Sequence, residues 1–454
     1  MEALLSASED VLIPPLNLGL EKGASYITNR RQATFFSSVP SASYTGVQTV
    51  KFNVASMTEF ADPESLIISF DVVNDAAQPL TFSTVGAHCL FDRYQCRISA
   101  TEVENIDHYG RTCESFSRLI PTEKRMNEGA LGFGTRLDMT AAAPALDGNA
   151  AAAAAHPVTP NLFQAKGHKA RSIAGNQRKR VYMKLPLSGV WTANQKYIPL
   201  WALGAGGCEI LLSLQRPELA AIHTLDGAAQ SQAYHLEDIR CEVDLISIDS
   251  ELMERYSRNL QEGGSLMIHT KLWNVTQVFV AGNSGDFEVT LSKAMSRLAT
   301  MFVNFSQELT QDEQRAGEMY TNTFKCYPQA YETLESFATI GSKRYPEFPV
   351  KGVTSHFWKL TQALGIAKSI AHSVNTDVDS YADDSFVLGI DFEKCPMVAS
   401  TGVNTQGGSE IRLSLKNFSN GQADAARRAP QRAWVCLHSE AIVELRATGA
   451  HLLD

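Results

Sequence analysis

The stretch GGCEILLSLQ, which begins at Gly206, returns almost letter for letter as GGSEIRLSLK from Gly407. In both copies a Gly-Gly turn precedes alternating apolar residues, Ile210, Leu212 and Leu214 in the first and Ile411, Leu413 and Leu415 in the second. A period of two marks a half-buried β-strand, because successive side chains point to opposite faces of a sheet. The likeness continues downstream, where Val243-Asp244-Leu245 in RCEVDLISID answers Val443-Glu444-Leu445 in AIVELRATG at nearly the same offset. Both halves of the chain are therefore expected to close with the same pair of strands.

Length supports two units, since 454 residues exceed the ~250–300 at which a single core stops growing. Further strand candidates alternate in the same way: Val50, Phe52 and Val54; Ile68, Phe70 and Val72; Phe386, Leu388, Ile390 and Phe392; and Val435, Leu437, Ala441, Val443 and Leu445. Many short strands between polar turns containing Gly and Pro indicate an all-β sandwich or barrel. Helical signals are few. TSHFWKLTQALG places Phe357, Leu360 and Leu364 on one face, with Thr354 or Ser355 to cap its start and Gly365 to end it. SELMERYSRNLQEGG predicts a second short helix from about Ser250 to Leu260, and the boundary falls there, giving units over 46–250 and 251–454.

Two segments fit neither core. Residues 1–45, with Pro14-Pro15 and the polar stretch SYITNRRQATFFSSVPSASYTG, are expected to form an extended arm whose apolar points, Phe35 and Phe36 among them, need a neighbour. From Met126 to Gln177 the alanine run Ala150 to Ala155, three prolines (Pro144, Pro157, Pro160) and little periodicity predict a long exposed insertion over about 127–177. Its end, KGHKARSIAGNQRKR, carries Lys166, Lys169, Arg171, Arg178, Lys179 and Arg180 without an acidic residue. Such a run is expected as solvated surface ahead of a polyanion contact or import signal.

A net charge of −9 argues against a surface devoted to nucleic acid, and no specific nucleic-acid binding is expected. No apolar run approaches the ~20 residues that span a bilayer, and the start lacks a basic segment followed by an apolar one. A soluble chain made in the cytosol is the expectation. In that reducing compartment the eight cysteines, none in a CxxC pair, are read as buried small apolar residues. The sequons at Asn274, Asn304 and Asn417 are read as chance.

Signatures of catalysis do not stand out: GxxxxGK[ST], GxSxG and HExxH do not occur. The eleven histidines never fall two apart, as a metal site on a strand requires. His356 and His372 beside the predicted helix, and His438 in an apolar strand, are read as hydrogen-bonded packing residues, and Asp383-Asp384 beside Tyr381 as turn residues. No catalytic residue, cofactor site or metal site is assigned.

Longer segments carry a resemblance. RVYMKLPLSGVWTANQKYIPLWALGAGGCEILLSLQRPE and YHLEDIRCEVDLISIDSELMERY resemble the end of the first jelly roll in double jelly-roll major capsid proteins of eukaryotic DNA viruses. IGSKRYPEFPVKGVTSHFWKLTQALG, FVLGIDFEKCPMVASTGVNTQGGSEIRLSLKN and the closing AWVCLHSEAIVELRATGAHLLD resemble the second half of such proteins in Polinton-like viruses and the larger nucleocytoplasmic DNA viruses. The resemblance covers roughly 178–454 by motif and 46–125 by strand pattern; the alanine-rich insertion matches nothing in the family.

The resemblance implies an all-β fold of two tandem eight-stranded jelly rolls with short helices and a long surface loop. It implies a structural protein without enzymatic activity. Three copies would close into a homotrimeric pseudo-hexagonal block that tiles an icosahedral shell beside minor capsid and penton proteins. The arm would then lie on the inner face, toward neighbours or an internal membrane, and the insertion on the outer face, toward the host surface. The expected location is the virion, after synthesis in the host cytosol and assembly in the cytoplasm or nucleus. Two other classes share a tandem β-sandwich: a carbohydrate-binding protein, and a two-cupin metal enzyme, which needs a histidine cluster inside the barrel.

Overall fold

The alternating runs form strands where the sequence places them. The computed structural model describes residues 26–39, 43–82, 86–117, 119, 172–192, 196–221, 224–225, 228–229, 231–280, 286–306, 332–367, 374, 381, 386–393, 401–407, 410–418 and 430–453. In the first half the strands are β1 (Ile27–Phe36), β2 (Thr49–Val54), β3 (Ile67–Asn74), β4 (Phe91–Ile98), β5 (Thr101–Ile106), β6 (Arg178–Met183), β7 (Cys208–Leu214) and β8 (Tyr234–Ile248). Helix α1 (Tyr109–Ser117) follows β5, and helix α2 (Ser250–Gln261) follows β8. The second half holds β9 (Leu266–Phe279), β10 (Phe287–Leu291), β11 (Leu298–Ser306), β12 (Glu335–Ile340) and β13 (Lys343–Lys351). Helix α3 (Val353–Ala363), β14 (Leu388–Asp391), β15 (Ile411–Lys416), β16 (Arg432–Arg446) and β17 (Gly449–Leu453) complete it.

The first half pairs β1-β8-β3-β6 in one sheet and β2-β7-β4-β5 in the other, all antiparallel. The second pairs β9-β16-β11-β14 and β10-β15-β12-β13. The two orders are the same when each strand is matched with the one eight places later. The repeated decapeptides are β7 and β15, each second in its sheet. Ile210 lies opposite Phe52 and Cys96, and Leu413 lies opposite Val289 and Ala338. The Gly-Gly start has a steric reason: Gly207 sits at φ +55°, and a Cβ there would strike the Val54 carbonyl.

Between the sheets of each sandwich the inward side chains fill the interior. Phe52, Phe70 and Phe91 are fully buried in the first, Phe305 and Phe386 in the second. Phe70 meets Phe91 edge to face at 5.8 Å, and Phe305 lies 6.2 Å from Phe386. Each such ring contributes about 1.5–3 kcal/mol of burial.

Three expectations are corrected. Ile27–Phe36, read as part of an arm, is strand β1, paired along β8 from Ile27 opposite Ile248 to Phe36 opposite Arg240. It shows little alternation because it is an edge strand in which only Ala33 is buried and Phe35 half-buried against the core, while its other side chains are exposed, several of them in ion pairs. Residues 1–25 lie outside the described residues. Second, the end of the predicted insertion is anchored: Ile173 is buried, and Asn74 Nδ2 donates to the carbonyls of Ile173 and Ala174 at 3.2 and 3.1 Å. Arg178, Lys179 and Arg180 belong to β6. The alanine run, Lys166, Lys169 and Arg171 lie outside the described residues.

Third, α3 begins at Gly352, φ +73°, with no side-chain cap from Thr354 or Ser355; its expected end at Gly365 holds, where the N–H donates to Gln362 O at 2.9 Å. Helix α1, for which no expectation was stated, forms although YGRTCESFS is poor in strong helix formers. Packing supplies what propensity does not, with Tyr109 fully buried 5.8 Å from Tyr94.

Candidate assembly surfaces

On β16 the inward side chains are Ala433, Val435 and Leu437, so Trp434, Cys436 and His438 point away from the core of their own sandwich. Trp434 and Cys436 are nonetheless buried, each 4% exposed. The first sandwich covers them. The Arg111 guanidinium on α1 lies 4.6 Å over the Trp434 ring, and the His108 ring meets the same indole edge-on at 4.8 Å. Phe116 packs against Trp273 at 5.0 Å and Phe302 at 5.2 Å, and Asn304 Nδ2 donates to Ser115 Oγ. Burial pushes the Cys436 thiol up to about 12 despite the nearby Arg111 charge. A second point of attachment is Thr101 Oγ1, which donates to Ala450 O at 2.9 Å.

The counterpart of this joint is open. In chain order α3 follows β13 as α1 follows β5, yet its Trp358 is 53% exposed, and Phe348 on the preceding β13 is 79% exposed. The outer face of β8, counterpart of the covered face of β16, is charged. Gln32 Nε2 and Ser69 Oγ each donate to Glu242 at 3.0 Å, and Arg180 donates to Ser69 Oγ at 2.8 Å while pairing with Asp71 and Asp238. Arg30 bridges Asp62 and Asp244, and Arg31 grips Glu59 with two bonds of 2.6 and 2.7 Å, which holds that carboxyl below its usual value. At the far end His235 lies between Asp75 at 2.8 Å and Glu237 at 2.9 Å.

The histidines singled out in the sequence are packing pieces where they are described. His356 is buried; its Nδ1 donates to Gly352 O at 2.7 Å, leaving Nε2 to accept from Ser336 Oγ at 2.8 Å. His438 packs at a tilt against Trp273, ring centroids 4.6 Å apart, and shares a hydrogen bond with Thr300. Burial lowers both imidazoles to about 4, so they are neutral at physiological pH. His372, Asp383 and Asp384 lie outside the described residues, as do Cys326 and Cys395; the six described cysteines are buried thiols. Of the sequons, Asn304 is buried and Asn417 donates its amide to Thr333 O at 2.8 Å. Among the described residues no group of three or more His, Cys, Asp or Glu is placed to hold a metal.

The joint residues Arg111 and Trp434 were not singled out from sequence, although a signal exists. WVCL in β16 and MFV in β11 are apolar at consecutive positions, the pattern of a strand covered on both faces.

No protein-family model matches the sequence, and no curated protein does. Solved structures do. The PBCV-1 virus capsid, in a quasi-atomic model, aligns over 95% of this chain and 98% of its own with a TM-score of 0.61 at 12% identity. The Faustovirus major capsid protein aligns over 98% and 94% with a TM-score of 0.54 at 8% identity. The chain is a double jelly roll. Each sandwich is one eight-stranded roll, and the mavirus major capsid protein shares the arrangement over 96% of this chain and 92% of its own, with a TM-score of 0.51 at 10% identity. In this double jelly roll the first roll's α1 is closed under the second roll, while the second roll's α3 faces outward.

Proposed function

We propose that the chain is a structural subunit of an icosahedral viral shell, assembling first as a homotrimer whose six rolls form a pseudo-hexagonal ring. The observation that carries this reading is the unequal covering of equivalent surfaces. α1 is buried against the outer face of β16, whereas α3 leaves Trp358 and Phe348 exposed and the outer face of β8 is open. The joint inside the chain is heterologous, because it brings two different faces together. Repeated from chain to chain, such a joint closes into a ring when the rotation per step allows it. With two rolls per chain, a ring of six closes at three copies.

The fold shared with the PBCV-1, Faustovirus and mavirus capsid proteins supports the reading. Function is then geometry. The contacts within the trimer are the larger ones, and smaller contacts between blocks form and break more readily, so that misplaced blocks leave the growing shell. Minor capsid and penton proteins complete the shell, and the virion is the site of action. The reading asks no catalysis of the chain.

The test is the solution mass by light scattering, with negative-stain images of the same peak. A mass of about 150 kDa, three times the 49.7 kDa chain, with hexagonal particles is expected from ring closure. A 49.7 kDa species at every concentration, with no larger assembly, overturns it.

A further inference from the structure

The two halves can be matched residue by residue at the joint. Helices α1 and α3 each open on a residue with positive φ, His108 at +54° and Gly352 at +73°. In each case that residue's carbonyl accepts the first helical hydrogen bond, from Thr112 N at 3.0 Å and His356 N at 3.2 Å. With these N-caps superposed, Arg111 corresponds to Ser355 and Ser115 to Lys359. On the sheets, β8 carries one extra residue at a bulge between Glu237 and Arg240. Counted back from the matching Val243 and Val443 through that bulge, Glu237 corresponds to His438, His235 to Cys436 and Ala233 to Trp434. Trp434 lies opposite Asn304 on β11, and the Asp75 N–H donates to Ala233 O at 3.0 Å, so Asp75 corresponds to Asn304.

The chemistry changes at every matched position. Inside the chain the joint is Arg111 on Trp434 and Ser115 with Asn304, a mostly dry contact. The matched groups left on the outside are Ser355 and Lys359 on α3, and Ala233, Asp75, His235 and Glu237 on the first roll. Asp75 and Glu237 keep 41% and 45% of their side chains exposed. The charges are complementary. On the α3 side stand Lys359, whose Nζ donates to Gln362 Oε1 at 2.8 Å, Lys351, 3.7 Å from Glu335, and a helix start without a side-chain cap. On the β8 side stand two carboxylates around one imidazole.

We propose that the partner of the Asp75–His235–Glu237 cluster is α3 of a second copy of this chain, with Lys359 placed opposite Asp75. This rests on the ring reading and adds a consequence. The joints alternate around the ring: dry within each chain, ionic between chains. Salt therefore opens the ring at the chain boundaries and leaves each pair of rolls intact, because screening weakens the exposed ionic contact far more than buried packing.

The test uses the full chain. Light scattering from about 50 mM to 1 M salt should follow trimers separating into folded monomers. K359E and D75K should each weaken the trimer by about tenfold or more, and the K359E/D75K pair should restore it. In the variant carrying both A233C and S355C, a short bis-maleimide should join chains into covalent trimers on a denaturing gel, while either single substitution, which keeps every native thiol, should not. Trimers that form but ignore K359E and D75K and fail to cross-link overturn this assignment and leave the ring standing. A wild-type chain that is monomeric at every salt concentration overturns the ring reading itself.

Discussion

The carboxylate of Glu104 accepts a hydrogen bond from the backbone N–H of Gly189 at 2.5 Å. The same carboxylate accepts from Val190 N at 2.9 Å and from the Tyr94 and Ser188 hydroxyls, both at 2.8 Å. Glu104 is a β5 residue, and Gly189 sits so close to the Lys271 carbonyl of β9 that a Cβ has no room. One buried acid in the first roll thus shapes the turn on which the second roll rests.

Replacing that acid should be costly. E104A strands the Gly189 and Val190 N–H groups and one of the two hydroxyls, the Tyr94 and Ser188 hydroxyls being 2.8 Å apart and able to satisfy one donor between them, and a loss of about 3 kcal/mol is expected. Urea unfolding followed by tryptophan fluorescence measures it, and a loss below about 1 kcal/mol would sink the account. E104Q, which keeps an acceptor oxygen, should lose less. Burial raises the carboxyl's pKa, the hydrogen bonds opposing it only in part.

The joint between rolls makes a separate prediction. W434A should cost about 3 kcal/mol through the void it leaves, and R111A about 1 kcal/mol through the lost ring contact. Both variants should speed tryptic cleavage within α2, where Arg255 and Arg258 are exposed and the chain passes from one roll to the next. Unchanged digestion would show that the helix holds the rolls together without this contact.

Trp358 should behave in the opposite way. Its ring is 53% exposed within one chain, so W358A should leave monomer stability within about 0.5 kcal/mol. The trimer should weaken by about tenfold or more, read as mass against concentration. A large loss of thermal stability in a monomeric sample would place the residue in the core instead.

His235 gives the fold a pH dependence of defined sign. Burial pulls the imidazole down, but the hydrogen bonds and charges of Asp75 and Glu237 outweigh it, and the net shift is upward. The folded value then lies above the unfolded ~6.5. The stabilisation is complete below the unfolded value and is lost as pH rises through the folded one. Wild-type protein should therefore lose more melting temperature between about pH 6 and pH 9 than H235N does. Equal losses in the two proteins would remove His235 as the source.

The sequence by itself determined the strands and their doubling. Alternation at Val50, Phe52 and Val54, or at Ile411, Leu413 and Leu415, is a local consequence of one face meeting a core, and it survives in any fold that buries that face. Gly207 in the first Gly-Gly start carried its own reason, since only glycine fits against the Val54 carbonyl. Strand β1 and helix α1 could not be seen that way. ITNRRQATFF is polar because its partners are Asp62, Asp244, Glu59 and Glu242, residues distant in sequence, and YGRTCESFS is helical because Tyr109 is buried against Tyr94 of the first roll and Phe116 packs on Trp273 of the second. The joint surfaces are of the same kind. Whether an outward residue such as Trp434 or Trp358 is covered depends on which face of a distant element meets it, and only the tertiary structure decided that one is buried and the other open.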